Sequence, residues 1–151
     1  MQHPTLGNLQ EDEGAVIGYL LLNGASISLR VDPDEVSIDQ ALSLATTIAT
    51  SLSEYDRISK DVIVRDLLET YNSNWSSYDE TQEDGSIKTV ANPELSPDEF
   101  KSKLTLYSVS IRGDSCVDLS YENDDLFWGH NISVSSSEGA DFANSEAELF
   151  G

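Results

Sequence analysis

The residues of this chain that could do chemistry concentrate in one stretch, Asn123-Asp124-Asp125-Leu126-Phe127-Trp128-Gly129-His130-Asn131-Ile132-Ser133-Val134. It holds one of the two histidines and one of the two tryptophans, beside adjacent aspartates and just after Glu122. An imidazole among carboxylates is a donor set for a divalent cation, and it is also an acid–base pair. His130, Glu122, Asp124 and Asp125 are therefore the candidates for a metal or ligand site. A working site needs several convergent groups, and the rest of the chain supplies few. His3 stands near the start, and Cys116 would need a base beside it to act as a nucleophile. There is no His-x-x-x-His, no cysteine pair, no glycine-rich phosphate loop and no nucleophile elbow. No residue is assigned a catalytic role, and nothing in the sequence asks for a cofactor.

The same stretch also reads as a β-hairpin. A two-residue turn at Asn123-Asp124 sets Tyr121 opposite Leu126, Leu119 opposite Trp128 and Val117 opposite His130. The large apolar groups then share a face with Ile132 and Val134, whereas a one-residue slip would divide them. On this reading His130 lies at the edge of the core and packing explains the pattern. Cys116, in a central strand, reads as a small core residue.

A second group combines aromatic rings with acids. Trp75 and Tyr78 stand at the start of SSYDETQEDGSIKTVANPEL, residues 76–95, which also carries Asp79, Glu80, Glu83 and Asp84. Trp and Tyr are frequent anchors in protein interfaces. Together with Asp124 and Asp125 these are the candidate partner-binding residues. The competing expectation for Trp75 is that it closes the core behind a helix.

Charge narrows the partners. Twenty-eight acidic residues face eight basic ones, a net charge of −20. Such a surface repels nucleic acid and anionic membrane and attracts basic proteins. The expected partner is a protein with a basic surface, a toxin or a nucleic-acid-binding protein, with no direct nucleic-acid or membrane contact. The same acidity also suits solubility or a saline cytoplasm. The 151 residues fit one domain, and the single cysteine leaves no internal disulfide. The opening MQHPTLGNLQEDEGA lacks the features of a signal peptide. The longest apolar run, Tyr19 to Leu22, falls far short of the ~20 residues that span a bilayer. A soluble, cytoplasmic protein is expected.

The elements that must position these residues follow from periodicity. Residues 14–32 read as a hairpin, with Asn23-Gly24 supplying the positive-φ positions of a type I′ turn. Ile38, Ala41, Leu42, Ala45, Ile48, Ala49 and Leu52 recur at helical spacing behind a cap at Ser37 or Asp34. A second helix is predicted over 58–71, with Asn72-Ser73-Asn74 ending it and Trp75 just beyond. Residues 76–95 show little period and read as an acidic loop. Ser96-Pro97-Asp98-Glu99 carries a capping box and a proline at the first helical position, announcing a short helix anchored by Phe100 and Leu104. Strands are predicted at 105–112, 116–122 and 126–134. The ends, 1–13 and 135–146, are expected to be mobile. The fold class is α+β: an antiparallel sheet made from the N-terminal hairpin and a C-terminal three-strand meander, with two or three helices on one face.

"LLETYNSNW" (67–75), "LSPDEFKSKLTLYSVSI" (95–111), "DLFWGHNISV" (125–134) and "AELFG" (147–151) occur in this order. Together they resemble a bacterial family catalogued as domain of unknown function 2262, and Phe127-Trp128-Gly129-His130 is the most specific part of the match. The resemblance implies no catalytic residues. It does imply the company of immunity proteins, which bind and neutralise a toxin. The leading expectation is thus an acidic protein-binding module of the immunity type. The alternatives are a nucleic-acid mimic that occupies a DNA- or RNA-binding protein, and an enzyme or metal- or ligand-binding domain centred on His130.

Overall fold

Two-residue alternation builds the strands, and the switch to a three- and four-residue period builds the layer that covers them. The computed structural model describes residues 1–151. The chain opens with β1 (Gln2–His3), β2 (Gly7–Asn8), β3 (Gln10–Asp12), β4 (Ala15–Leu22) and β5 (Ala25–Asp32). Helices α1 (Ile38–Thr50) and α2 (Leu52–Thr70) follow, and α2 runs on into a π-helical turn, Tyr71–Trp75. Next come β6 (Ser77–Thr81), β7 (Ile87–Ala91) and α3 (Pro97–Ser102). The last strands are β8 (Thr105–Arg112), β9 (Cys116–Glu122), β10 (Asn131–Ser136) and β11 (Glu146–Phe150).

The fold is α+β, but its sheet is larger than a hairpin and a meander, and it is mixed. Seven strands lie in the order β11-β10-β9-β8-β5-β4-β3. β5 and β8 run parallel, and every other neighbouring pair in this sheet is antiparallel. The parallel pair arises where the N-terminal strands meet the C-terminal ones. Between β5 and β8 the chain crosses the helical layer, and a crossover brings the second strand back in the direction of the first.

The extra strands come from the ends of the chain. Residues 1–13, expected to be loose, fold back on the sheet with Leu6 and Leu9 buried, and the Leu9 amide donates to the Met1 carbonyl at 2.8 Å. His3 Nδ1 accepts the amides of Thr5 and Leu6 in the turn between. Residues 135–146 are likewise packed, with Ser136, Phe142 and Ser145 buried. The segment is clasped to α2, where Arg65 donates to the Ser145 carbonyl at 2.8 Å and Asp66 accepts the Ala147 amide at 2.9 Å. These links are side chain to backbone across distant sequence, which periodicity does not register.

The Asn23-Gly24 turn has the expected positive φ at both positions, with Leu22 opposite Ala25. One face of the sheet, including Leu29, Val109, Leu119 and Val134, is buried beneath the helices. The other carries the polar half of the alternation, and the register aligns Ser28, Ser108, Ser120 and Ser133 across β5, β8, β9 and β10. Cys116 shares the parity of that outer face and is only half-buried, because Val117 takes the inward place. The core position expected for it is thereby corrected.

Ser37 and Gln40 close a capping box at the start of α1, and Ser96 and Glu99 close another on α3. The gap expected between α1 and α2 shrinks to Ser51. Thr46, Thr47 and Thr50 donate to carbonyls four residues back, a pattern that loosens and bends a helix. The β-branched Val62 and Ile63 remain helical because both are buried there. Burial of the α2 stripe outweighs their modest helix propensity. Under α2 the Tyr121 hydroxyl donates to Asp56 at 2.6 Å, and Asp56 also pairs with Lys60. Burial, followed by that carboxylate, holds the Tyr121 phenol well above its ordinary range.

Candidate functional site

The predicted hairpin at Asn123-Asp124 is instead a long loop. β9 ends at Glu122 and β10 begins at Asn131, so Tyr121 pairs with Ile132, Leu119 with Val134 and Val117 with Ser136. Parity survives, because both connections contain an even number of residues, but the register moves. Asn123 is the reason. It is buried, and its amide donates to the His130 carbonyl at 2.6 Å while its side-chain oxygen accepts the Phe127 amide at 3.3 Å. One side chain thus bridges the loop and satisfies backbone groups that a hairpin ladder would have paired.

Inside this loop Asp124, Asp125, Trp128 and Gly129 all have φ between 54° and 89°. Aspartate and glycine tolerate that region, whereas a bulky tryptophan there is unusual. The left-handed backbone costs an L-residue roughly 1–2 kcal/mol. The cost is not offset by full burial, since the Trp128 side chain remains 53% exposed. Its neighbour Phe127 turns the other way, is fully buried, and meets Tyr71, Trp75 and Phe100 at centroid distances of 5.7, 5.4 and 6.2 Å.

The opposite wall comes from the end of α2. The π-helical turn Tyr71–Trp75 carries the helix past the expected stop at Asn72-Ser73-Asn74, and such turns recur at functional sites. Asn72 ties the turn down by donating to the Leu95 carbonyl and accepting the Leu95 amide. Trp75 is half-buried, so it meets the core at Phe127 and also reaches Trp128, at a centroid distance of 4.7 Å and a tilt of 60°.

Residues 76–95, read from the sequence as a loop, contain an exposed hairpin, β6 against β7, with Tyr78 opposite Val90. The period is weak because neither face is buried, so no apolar alternation marks the strands. Tyr78, 44% exposed, stands edge-on to Trp128 at 6.5 Å.

These walls enclose an open cleft of about 670 Å³, lined by Tyr71, Trp75, Tyr78, Asn92, Asp124, Asp125, Leu126, Trp128 and Gly129. That volume lies within the range of ligand pockets, roughly 300–1,000 Å³. Of the candidate partner-binding residues, Trp75, Tyr78, Asp124 and Asp125 meet here. Asp79, Glu80, Glu83 and Asp84 do not line the cleft. Asp79 accepts Thr89 across the hairpin at 2.8 Å, and Glu80 stands opposite Lys88. Glu83 lies exposed near the tip, and Asp84 is held below its ordinary carboxylate range by the hydroxyl and amide of Ser86.

His130 is not a strand residue at the core edge, because it closes the loop. Its Nδ1 donates to the Gly151 carbonyl at 2.7 Å, and its ring meets the Trp75 ring at 5.9 Å. Glu122 is exposed at the end of β9 opposite Thr105. No group of three or more His, Cys, Asp or Glu side chains is placed to hold a metal ion. Asp124 is 3.5 Å from Lys103, an exposed pair, whereas Asp125 has no basic partner.

The loop that forms this wall lies within a stretch that matches one family. The family model described as "Uncharacterized protein conserved in bacteria (DUF2262)" matches residues 3–147. The chain belongs to the DUF2262 family. The match takes in both tryptophans, the β6–β7 hairpin and the whole 123–130 loop, so the cleft is built from residues inside the DUF2262 region. No curated protein and no solved structure matches the chain. No helix is long and apolar enough to cross a membrane.

Tyr71, Asn92, Leu126, Trp128 and Gly129 also line the cleft, and residue type and spacing do not mark them as site residues. A two-residue turn at Asn123-Asp124 places Trp128 in a core strand. The signal for the real arrangement is the Asp-Asp pair followed by Gly129, residues that accept left-handed backbone, behind an asparagine able to staple a loop.

Proposed function

We propose that this protein is an acidic protein-binding module that engages a basic protein partner on the face bearing the aromatic cleft, and that it acts as an immunity-type inhibitor of a bacterial toxin. The observation that carries the reading is the exposure of Trp128 and Tyr78 beside Asp124 and Asp125 in a chain of net charge −20. Exposed Trp and Tyr gathered in a cleft are the residue types that dominate binding energy in interfaces. A strongly acidic surface adds long-range capture of a basic partner. A tryptophan held in left-handed backbone yet left half in solvent gains little for folding, which supports a role in recognition.

Affinity capture from the native bacterial host, followed by mass spectrometry and reconstitution of the captured protein, tests this. The expected result is a stoichiometric basic partner whose toxicity is relieved by co-expression of this chain. Reconstituted partners that are neutral or acidic, or whose activity is unaffected by the chain, would defeat the reading.

A further inference from the structure

We infer that the cleft receives an arginine side chain presented by the basic partner, stacked among Trp75, Tyr78 and Trp128 with Asp125 as its counter-ion. The inference rests on the proposed binding of a basic protein and adds the chemistry by which it is recognised.

Ring geometry comes first. Trp75 and Trp128 are tilted by 60° and Tyr78 and Trp128 by 79°, so the three rings form a bent wall rather than a flat stack. Bent aromatic walls of this kind favour a cation, which is drawn to the electron-rich ring faces. The polar lining then selects among cations. Asp124, Asp125 and Asn92 offer acceptor oxygens at the cleft. A fully alkylated ammonium has no N–H to donate to them. A guanidinium has five, is planar enough to lie on a ring, and pairs with a carboxylate through two parallel bonds. A lysine ammonium donates as well but is more strongly hydrated and does not stack.

The carboxylates are not equivalent. Lys103 already lies 3.5 Å from Asp124, while Asp125 has no basic neighbour. Asp125 is therefore the free acceptor, and Lys103 is a resident competitor at the rim. The cleft, at about 670 Å³, is larger than one guanidinium needs, so the residues flanking the arginine enter it too. A segment of a protein accounts for that space better than free arginine does.

Acetylated and amidated Gly-Gly-X-Gly-Gly peptides, with X as arginine, lysine, trimethyllysine or citrulline, provide the test, read by tryptophan fluorescence and by NMR shifts of the indole N–H groups. Arginine should bind saturably and at least roughly tenfold more tightly than its neutral isostere citrulline, which gives up both the cation–π contact and the charge-assisted pair with Asp125. Trp128→Ala should narrow the difference, leaving the part that Asp125 supplies. Asp125→Asn, which leaves the rings in place, should weaken arginine about tenfold, in line with loss of a charge-assisted pair. Lys103→Ala should strengthen arginine binding. Equal binding of citrulline and arginine, tighter binding of trimethyllysine, or no effect of both Trp128→Ala and Asp125→Asn would overturn the assignment. A basic partner captured equally by the native chain and by both variants would also overturn it while leaving the protein-binding function standing.

Discussion

Phe127 and Trp128 are adjacent in sequence and opposite in environment. Phe127 is wholly buried among Tyr71, Phe100 and Trp75, and Trp128 stands half in solvent against Trp75 and Tyr78. The aromatic cluster thus has a closed half, which joins α2, α3 and the 123–130 loop, and an open half, which forms the cleft. Trp75 belongs to both, since its ring meets Phe127 on one side and Trp128 on the other. Ring content alone does not separate core from site. The separation is made by the backbone, through Asn123 stapling the loop and left-handed φ at Trp128 turning one ring out while its neighbour goes in.

If the closed half holds the fold, the largest effect should come from Phe127→Ala, about 3–5 kcal/mol by analogy with other buried phenylalanines, measured by urea unfolding. Asn123→Ala should follow. It strands the Phe127 amide and the His130 carbonyl at a cost of about 1–3 kcal/mol, and it should loosen the cleft wall so that partner capture falls together with stability.

A control away from both halves is the buried Tyr121 hydroxyl on Asp56. Its pKa is raised in the folded chain by burial and by that carboxylate. Its contribution to stability is therefore fully present below the unfolded phenol value of about 10 and is lost as pH rises above it. Urea melts between neutral and strongly alkaline pH should fall at the alkaline end for the native chain. Tyr121→Phe should flatten that limb without touching capture, and Tyr55, also raised by burial, should leave a residual slope. The smallest stability change is expected at Trp128. Trp128→Gly relieves the left-handed strain while giving up an exposed ring, and the two should nearly cancel, within about 0.5 kcal/mol.

Much of the scaffold was legible in the residues. Two-residue alternation marked β5, β8 and β9, the Asn23-Gly24 turn marked β4, helical spacing marked α1, and Ser96-Pro97-Asp98-Glu99 marked the start of α3, because each is a local pattern with a burial consequence. The parallel meeting of β5 and β8 was not legible, since strand order depends on how the helical layer returns the chain. The β6–β7 hairpin escaped for a different reason, as an element exposed on both faces leaves no hydrophobic period. Of the candidate site, Trp75, Tyr78, Asp124 and Asp125 were named from residue type, and the cleft brings them together. Trp128 was misplaced because a single buried asparagine, Asn123, outweighs a turn signal that the same asparagine appears in. His130 is the most conspicuous residue by chemistry, and one of its two ring nitrogens, Nδ1, is held by the backbone oxygen of Gly151.

The most direct measurement sets Phe127→Ala against Trp128→Ala, with unfolding free energy and affinity for the captured basic partner determined for each. The predicted result is a crossed pair: Phe127→Ala loses several kcal/mol of stability (about 3–5), whereas Trp128→Ala, which keeps the left-handed backbone and gives up a half-exposed ring, loses only about 1–2 kcal/mol and loses the partner. A Trp128→Ala variant that binds as the native chain does, or one that unfolds as readily as Phe127→Ala, would contradict the division of the cluster into a structural half and a recognition half.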